Sequence, residues 1–306
     1  MKMTQHHQNV WRIQTPDGGT TADFIPEWGG IGSSLVVPSP TGPRELLYTH
    51  DFFWDLKTEK TRGGLPFLFP ACGRLERDGE PEVYLYEGRR YRLPIHGFSL
   101  RVPWQVIDDS RDNELTLRLV DSEATRVGYP FSFELDLTYR VETGLLVCHH
   151  RLRNTGSGPM PYNLGFHPYF LTPEPGNGKE KIRVSIPARR RLVYNERLTD
   201  LTGEAPPLIT PVSIADPAAN ESLHEVVPGK PCRMTSPDGF AMELDMGSSD
   251  DPALYRYVQM YTMPDKPFFC IEPWTGHPNA LNTAGGPQWL PPGRGASGFF
   301  QIRASR

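Results

Sequence analysis

Hydrophobic and polar residues alternate most regularly over residues 131–141, where every second side chain is apolar. This period of two predicts a β-strand with one buried face and one solvated face. The following segment, 142–144, is typical of a turn, and 145–153 is predicted to be the returning strand. A similar alternation over 114–119 comes before it. The sequence therefore predicts an antiparallel meander in this region.

Further strand-like segments run along the whole chain, separated by glycine and proline. The chain has 29 glycines and 32 prolines among its 306 residues, and proline is excluded from helix interiors and central strands. No apolar stripe of helical spacing lasts for three turns. We therefore expect an all-β fold, a large antiparallel β-sandwich formed by residues 1–306 as a single domain. The other predicted strands are 10–13, 21–25, 83–86, 90–93, 104–108, 182–186, 241–244, 255–262, 268–272 and 299–304, whereas the proline-rich segment 200–239 is expected to be a long excursion.

The charge and cysteine content exclude several classes of protein. The net charge is −4, with 32 basic and 36 acidic residues, whereas tight nucleic-acid binding normally needs a basic face. Four widely spaced cysteines suggest neither a zinc site nor a disulfide framework. The N-terminal residues lack an apolar signal-peptide core, and no run approaches the ~20 apolar residues of a membrane span. These features predict a cytoplasmic protein without nucleic-acid or membrane partners.

Three short motifs place a proton-transfer group among glycine, proline and aromatic residues. They are Ile-His-Gly-Phe at 95–98, Asn-Leu-Gly-Phe-His-Pro-Tyr-Phe at 163–170 and Cys-Ile-Glu-Pro-Trp at 270–274. Their titratable side chains are His96, His167 and Glu272. Two imidazoles and a carboxylate are sufficient for acid–base chemistry near neutral pH. Aromatic rings beside such groups suit the apolar faces of a sugar.

Each of these three residues also has a purely structural interpretation. His96 could be a half-buried histidine whose ring nitrogens contact backbone groups, and His167 could be incidental in an aromatic core strand. Asn163, His167 and Tyr169 nevertheless share one face of that strand by their spacing. A carboxylate at the end of an apolar run is costly unless it is paired or functional. Glu272 is therefore either a catalytic group or a strand-end residue that caps the backbone or pairs with an arginine.

Several polar and aromatic residues are candidates for substrate binding. Gln259 carries an amide that can both donate to and accept from a hydroxyl, Trp274 could stack on a sugar ring, and Asn163 shares the face of His167. Arginines can donate paired hydrogen bonds to hydroxyls or to a phosphate. Arg74 and Arg77 are the arginine candidates. A subsite for an anion such as a phosphate could be formed by Arg62, Arg74, Arg77 and Arg101.

Taken in order, these motifs resemble the aldose 1-epimerase (galactose mutarotase-like) family. The similar motifs are Gly-Gly-x-Pro, Gly-Arg, His-Gly-Phe, Asn-Leu-Gly-Phe-His-Pro-Tyr-Phe, Gln-x-Tyr-Thr and Ile-Glu-Pro-Trp, and they span roughly residues 20–304. The resemblance implies one β-sandwich domain that interconverts the α and β anomers of a sugar without a metal or other cofactor. It also implies a role for each residue: general base for Glu272, general acid for His167, binding and polarising the substrate for His96, and holding hydroxyls for Arg74 or Arg77 and Gln259.

Two departures from the family pattern place the chain in a divergent branch and leave the sugar open. Glu76-Arg77 stands where galactose mutarotases have an Asn-Arg pair, and no Gly-Tyr-Asp-His-like motif supplies their substrate-binding Asp. Recognition of a 6-phosphate and the choice between monomer and homodimer also stay open. Two other functions compete with an epimerase. One is a carbohydrate-binding or sensing protein without turnover, and the other is a metal site made of His96, His167 and Glu272.

Overall fold

A computed structural model describes residues 1–55 and 63–305, and β-strands predominate in both ranges. The strands of the first half are β1 (Lys2–Gln5), β2 (Gln8–Gln14), β3 (Thr21–Ile25), β4 (Ile31–Ser39), β5 (Gly42–Glu45), β6 (Phe67–Leu68), β7 (Glu76–Arg77), β8 (Glu80–Pro81), β9 (Val83–Tyr86), β10 (Arg89–Arg92), β11 (Gln105–Asp108), β12 (Glu114–Val120), β13 (Phe133–Glu142) and β14 (Leu145–Asn154).

The second half continues in the same style. Its strands are β15 (Met160–Tyr162), β16 (Gly165–Phe166), β17 (Tyr169–Leu171), β18 (Arg183–Ser185), β19 (Ala188–Tyr194), β20 (Leu201–Ala205), β21 (Val212–Ser213), β22 (Ser222–Val226), β23 (Cys232–Thr235), β24 (Ala241–Gly247), β25 (Tyr257–Tyr261), β26 (Phe268–Trp274), β27 (Gln288–Leu290) and β28 (Gly295–Ser305). The helical segments are α1 (Glu123–Gly128) and 3₁₀ turns at Pro26–Trp28, Ser99–Arg101, Lys179–Lys181, Pro217–Ala219 and Ala280–Asn282. No helix in the described ranges is long and apolar enough to cross a membrane.

The predicted meander is confirmed. Strands β12, β13 and β14 pair in antiparallel fashion, and Leu135 lies opposite both Leu119 and Leu152. The apolar residues of β13 are buried and the polar residues between them are partly exposed, as the alternation requires. Every other segment predicted as a strand also overlaps an observed strand.

Two large antiparallel sheets pack face to face and confirm the expected β-sandwich. Among the described strands, one sheet has the order β11-β12-β13-β14-β28-β24-β23-β18-β21, and the other has the order β20-β19-β22-β25-β26-β16-β6, with β17 also paired to β26. Their inner faces share one hydrophobic cluster, to which β13 contributes Leu137 and β26 contributes Ile271. A smaller sheet, β1 to β5, joins this core through Phe24, whose ring stacks on Tyr139 at 4.1 Å.

The segment 200–239 differs from the prediction. It contributes β20 and β22 to one large sheet and β21 and β23 to the other, so it is part of the sandwich. Its strands have two to five residues each, and such short runs between prolines show no readable periodicity. This error has a consequence for the site, because the loop before β22 reaches the cavity described next.

Candidate active site

The two faces of strand β26 carry different kinds of residue. Phe269 and Ile271 point into the main core between the large sheets. By strand alternation Cys270, Glu272 and Trp274 lie on the opposite face, which we call the site face. All of these residues are buried. An arrangement with both faces covered explains why the sequence of β26 is apolar throughout apart from its single carboxylate.

Two neighbouring strands align polar groups with Glu272. Strand β25 pairs Gln259 directly with Glu272. On the other side, β17 pairs Tyr169 with Cys270, and this antiparallel register brings His167 opposite Glu272. His167 Nε2 lies 3.3 Å from Glu272 Oε2, and its ring stacks on Tyr169 at 4.6 Å. Residues from three separate motif regions therefore meet on one face of one sheet.

Burial determines the protonation of the His167–Glu272 pair. The pKa of Glu272 is raised, first by burial and then by the charge of Glu221, while burial lowers the pKa of His167 to about 3. Near neutral pH the pair therefore holds a single proton. Within the described part of the chain, His167 Nδ1 and Glu272 Oε2 are buried without a hydrogen-bond partner, a costly state that calls for an explanation.

His96 reaches the same site from a strained loop. Its φ is 65°, and a Cβ on the adjacent Gly97 would come within 2.2 Å of the Phe69 carbonyl oxygen, so only glycine fits there. The Gly73 N–H donates to His96 Nδ1 at 3.1 Å. Because Nδ1 accepts, neutral His96 carries its proton on Nε2. Its pKa is lowered by burial and by His167, which keeps this donor tautomer at neutral pH.

The structure gathers most, but not all, of the sequence-predicted residues around one cavity. The predicted residues that line it are His96, His167, Glu272, Arg74, Gln259 and Trp274. Arg77 and Asn163 are not among the lining residues. Arg77 belongs to the β7–β8 hairpin, where its guanidinium lies 3.5 Å from Asp78. Asn163 is buried against Gly276, at which a Cβ would come within 2.1 Å of its Oδ1.

Of the arginines that could form an anion-binding subsite, Arg74 is the one among the described residues that lines the cavity. Arg74 lies exposed at the cavity, whereas Arg101 donates to the carbonyls of Ile95 and Gly97 at 3.1 and 2.8 Å. Arg101 thus braces the loop that carries His96. Arg62 lies outside the described residues.

Glu221 and Tyr194 line the cavity but were missed by sequence reasoning. Gln259 Nε2 donates to Glu221 Oε2 and to the Met260 carbonyl, both at 3.2 Å, and Tyr194 Oη donates to Gln259 Oε1 at 2.9 Å. A flipped amide would set its oxygen against two acceptors, so these neighbours fix its orientation. Glu221 precedes β22 in the segment predicted as an excursion, and neither residue belongs to a motif. Glu221 supplies a second carboxylate at a site where the family's Asp motif is missing.

The potential metal ligands that the structure groups together differ from the set suggested by the sequence. The described residues contain one group of three potential ligands with ligand atoms within 4.8 Å of one another, and it consists of His167, Cys270 and Glu272. His96 is not part of it.

Known proteins share both the sequence pattern and the fold. The family model described as Aldose 1-epimerase matches residues 11–227. A Salmonella typhimurium protein named "Putative glucose-6-phosphate 1-epimerase" is 27% identical over 151 residues, which is 48% of this chain, and the chain spans 45% of that relative's length. The structure of protein Slr1438 from Synechocystis covers 100% of this chain and 98% of its own at 28% identity, with a TM-score of 0.83.

A second solved structure shows the fold alone. It is that of a galactose mutarotase related enzyme from Lactobacillus acidophilus, which is 22% identical to this chain with a TM-score of 0.78, over 97% of each chain. The large β-sandwich is thus the architecture common to these proteins.

Proposed function

The chain belongs to the aldose 1-epimerase family, and we propose that it interconverts the α and β anomers of a hexose or a related sugar. The observation that supports this most strongly is the His167–Glu272 pair, with 3.3 Å between Nε2 and Oε2 at the wall of a cavity. Such a pair can remove one proton and supply another within a single bound sugar. The reaction needs no redox change and no group transfer, so its chemistry requires no cofactor.

The proposed reaction begins with the single proton of the pair on His167. Glu272 accepts the proton of the anomeric hydroxyl while His167 donates its proton to the ring oxygen, and the bond between C1 and that oxygen breaks to leave an aldehyde. Rotation about the C1–C2 bond presents the other aldehyde face, and the ring recloses with both transfers reversed. The pair carries one proton at every stage. In the open-chain state this proton is on Glu272, the form that burial favours.

The remaining cavity residues would hold the sugar. Neutral His96 offers its Nε2 proton to a substrate oxygen, because Nδ1 is occupied by the Gly73 amide. Arg74 and Glu221 supply a charged donor and a charged acceptor for hydroxyls, and the fixed amide of Gln259 lies beside Glu221. Trp274 can stack on an apolar sugar face. We therefore assign substrate binding to a network rather than to one arginine.

Anomer exchange over a panel of sugars tests this function. The panel contains glucose, galactose and their 6-phosphates, the latter because a Salmonella relative is named for glucose 6-phosphate. We expect at least one sugar to exchange faster than its uncatalysed rate by polarimetry or exchange NMR. If calorimetry shows that a sugar binds while exchange stays at background over the whole panel, the protein is a carbohydrate-binding protein and the proposal is wrong.

A further inference from the structure

A thiol lies next to the acid–base pair and has no part in the proposed reaction. Cys270 is on the site face of β26, two residues before Glu272, and both are fully buried at 0% and 1% exposure. Its sulfur, a ring nitrogen of His167 and a carboxylate oxygen of Glu272 all lie within 4.8 Å of one another. We call these three residues the thiol triad. They converge because β17 and β26 are paired at Tyr169 and Cys270.

The three ligand types favour a particular class of cation. Hard ions such as Mg²⁺ and Ca²⁺ prefer oxygen ligands, whereas imidazole and thiolate select borderline-soft ions such as Zn²⁺. At ordinary bond lengths, a nitrogen ligand and an oxygen ligand of a tetrahedral zinc site are about 3.4 Å apart. The His167–Glu272 separation of 3.3 Å is close to this value, and the 4.8 Å limit for the triad requires only small side-chain movement. Three protein ligands leave a fourth position for water.

A second observation points to a missing ligand at the same place. Glu272 Oε2, which faces His167, is buried and has no hydrogen-bond partner among the described residues. His167 Nδ1 is likewise buried without a hydrogen-bond partner among the described residues, and a neutral imidazole offers a nitrogen lone pair for coordination. A buried carboxylate oxygen and a neutral imidazole can be satisfied together by one divalent cation.

We propose that the thiol triad binds a borderline-soft divalent cation, with Zn²⁺ as the representative, and that the bound ion blocks the acid–base pair. On binding, the Cys270 thiol releases its proton to solvent and its sulfur bonds to the ion, and the single proton of the His167–Glu272 pair is released to solvent as well. The lone pairs of His167 and Glu272 then coordinate the ion and can no longer exchange protons with a sugar. The inhibitory effect rests on the proposed function, whereas the binding does not.

Binding is tested first, without reference to activity. Metal-free protein is titrated with Co²⁺, a coloured substitute for zinc whose bond to a thiolate gives a near-ultraviolet charge-transfer band. We expect such a band to saturate at one equivalent and to disappear when Zn²⁺ is added. Cys270→Ser should lack the band, whereas Cys72→Ser should keep it. Cys72 is a matched control because it is also buried and its pKa also responds to Glu272, but it is outside the triad.

Inhibition is tested next on a sugar that the enzyme turns over. Zn²⁺ should lower the exchange rate of the wild type at least tenfold, and a chelator should restore it. Cys270→Ser should require at least ten times more Zn²⁺ for the same loss, and Cys72→Ser should behave like the wild type. If Cys270→Ser does not fold, Cys270→Ala and the wild-type titration answer the same question.

The outcomes separate this site from the proposed function. A wild type without a thiolate band at saturating Co²⁺ overturns the metal site even if sugars are turned over. A Cys270→Ser variant that is inhibited like the wild type also overturns it, because the ion then binds without the thiol. A clear band without turnover of any sugar leaves the metal site standing and refutes the proposed function instead.

Discussion

The two faces of strands β25 and β26 differ in chemistry, although both faces of β26 are fully buried. On the core face, Val258 and Ile271 are 0% exposed and belong to the main hydrophobic cluster. On the site face Glu272 is 1% exposed, yet it carries a carboxylate oxygen without a partner in the described part of the chain. Each buried unsatisfied group costs about 1–3 kcal/mol. Residues on the core face thus stabilise the fold, whereas the unpartnered carboxylate on the site face destabilises it. We attribute the retention of this costly group to function.

Apart from substitution of Glu272, the most damaging change to the site face is His167→Gln. It removes one of the two proton-transfer groups, each of which typically contributes about 10²–10⁴-fold to the rate. We expect a loss of that size in kcat, measured by anomer exchange, in protein that still folds.

His224 provides the matched control for this substitution. It is also a buried histidine, 1% exposed, but it does not line the cavity, and its ring contacts Ser222 Oγ at 3.1 Å. His224→Gln should keep its kcat per folded molecule. Equal losses of activity in both variants would show that the two faces do not differ as we describe.

On the core face, Ile271→Ala should have the opposite effect, a loss of stability without a loss of activity. Truncating a fully buried isoleucine leaves a cavity and typically costs about 2–5 kcal/mol of unfolding free energy. We expect this loss in denaturant unfolding, while kcat stays within a few-fold of the wild type because Ile271 does not line the cavity. A stable Ile271→Ala protein that has lost its activity would contradict the division between the faces.

Sequence periodicity predicts strands well only where the two faces of a strand differ in polarity. The segment 131–141 alternates clearly because one face is wet, so β13 could be located precisely enough to define the meander. Strand β26 is buried on both faces. Its sequence therefore indicates a strand but cannot show that Cys270 and Glu272 share the site face with His167.

The candidate site was predictable as far as its residues lie in motifs. His96, His167 and Glu272 stand in distinctive contexts, and all three line the cavity. The choice between Arg74 and Arg77 depends on the β7–β8 hairpin, which turns Arg77 toward Asp78. Glu221 could not be found, since it lies in a loop between short strands and reaches the cavity only through the pairing of β22 with β25.

Acid should destabilise the fold because it protonates the buried histidine His224. Burial lowers the pKa of His224 to about 4, below the value of about 6.5 for an unfolded chain. Its neutral form contributes stability that is complete above pH 6.5 and is lost as the pH falls toward 4. Between pH 7 and pH 5 we expect a loss of about 2 kcal/mol from this residue.

Urea unfolding of the wild type and His224→Leu at both pH values measures that loss. Between pH 7 and pH 5, the variant should lose about 2 kcal/mol less unfolding free energy than the wild type. The shifted pKa of Glu272 changes the stability of the fold with pH in the opposite direction. Because its pKa is raised, its contribution is lost as the pH rises above the ordinary carboxyl value. A wild type and variant with the same pH dependence would show that His224 does not titrate in this way.

The smallest effect is expected for Tyr194→Phe. The variant loses one hydrogen bond to Gln259 Oε1, worth about 1 kcal/mol, and leaves the acid–base pair intact. KM should rise several-fold while kcat and Tm change little. Tyr257→Phe is a suitable control. Tyr257 lies on the same face of β25 as Gln259, but it does not line the cavity. A large fall in kcat for Tyr194→Phe would instead indicate a direct role in proton transfer.

The most direct test of the division between the faces combines rate and stability for Glu272→Gln. Anomer exchange is measured for a sugar that the wild type turns over, together with the Tm of both proteins. We predict exchange near the uncatalysed rate and a Tm equal to or above that of the wild type, because the change removes a buried ionisable group that weakens the fold. Exchange at the wild-type rate, or loss of activity only in step with a lower Tm, would contradict the assignment of Glu272 to catalysis.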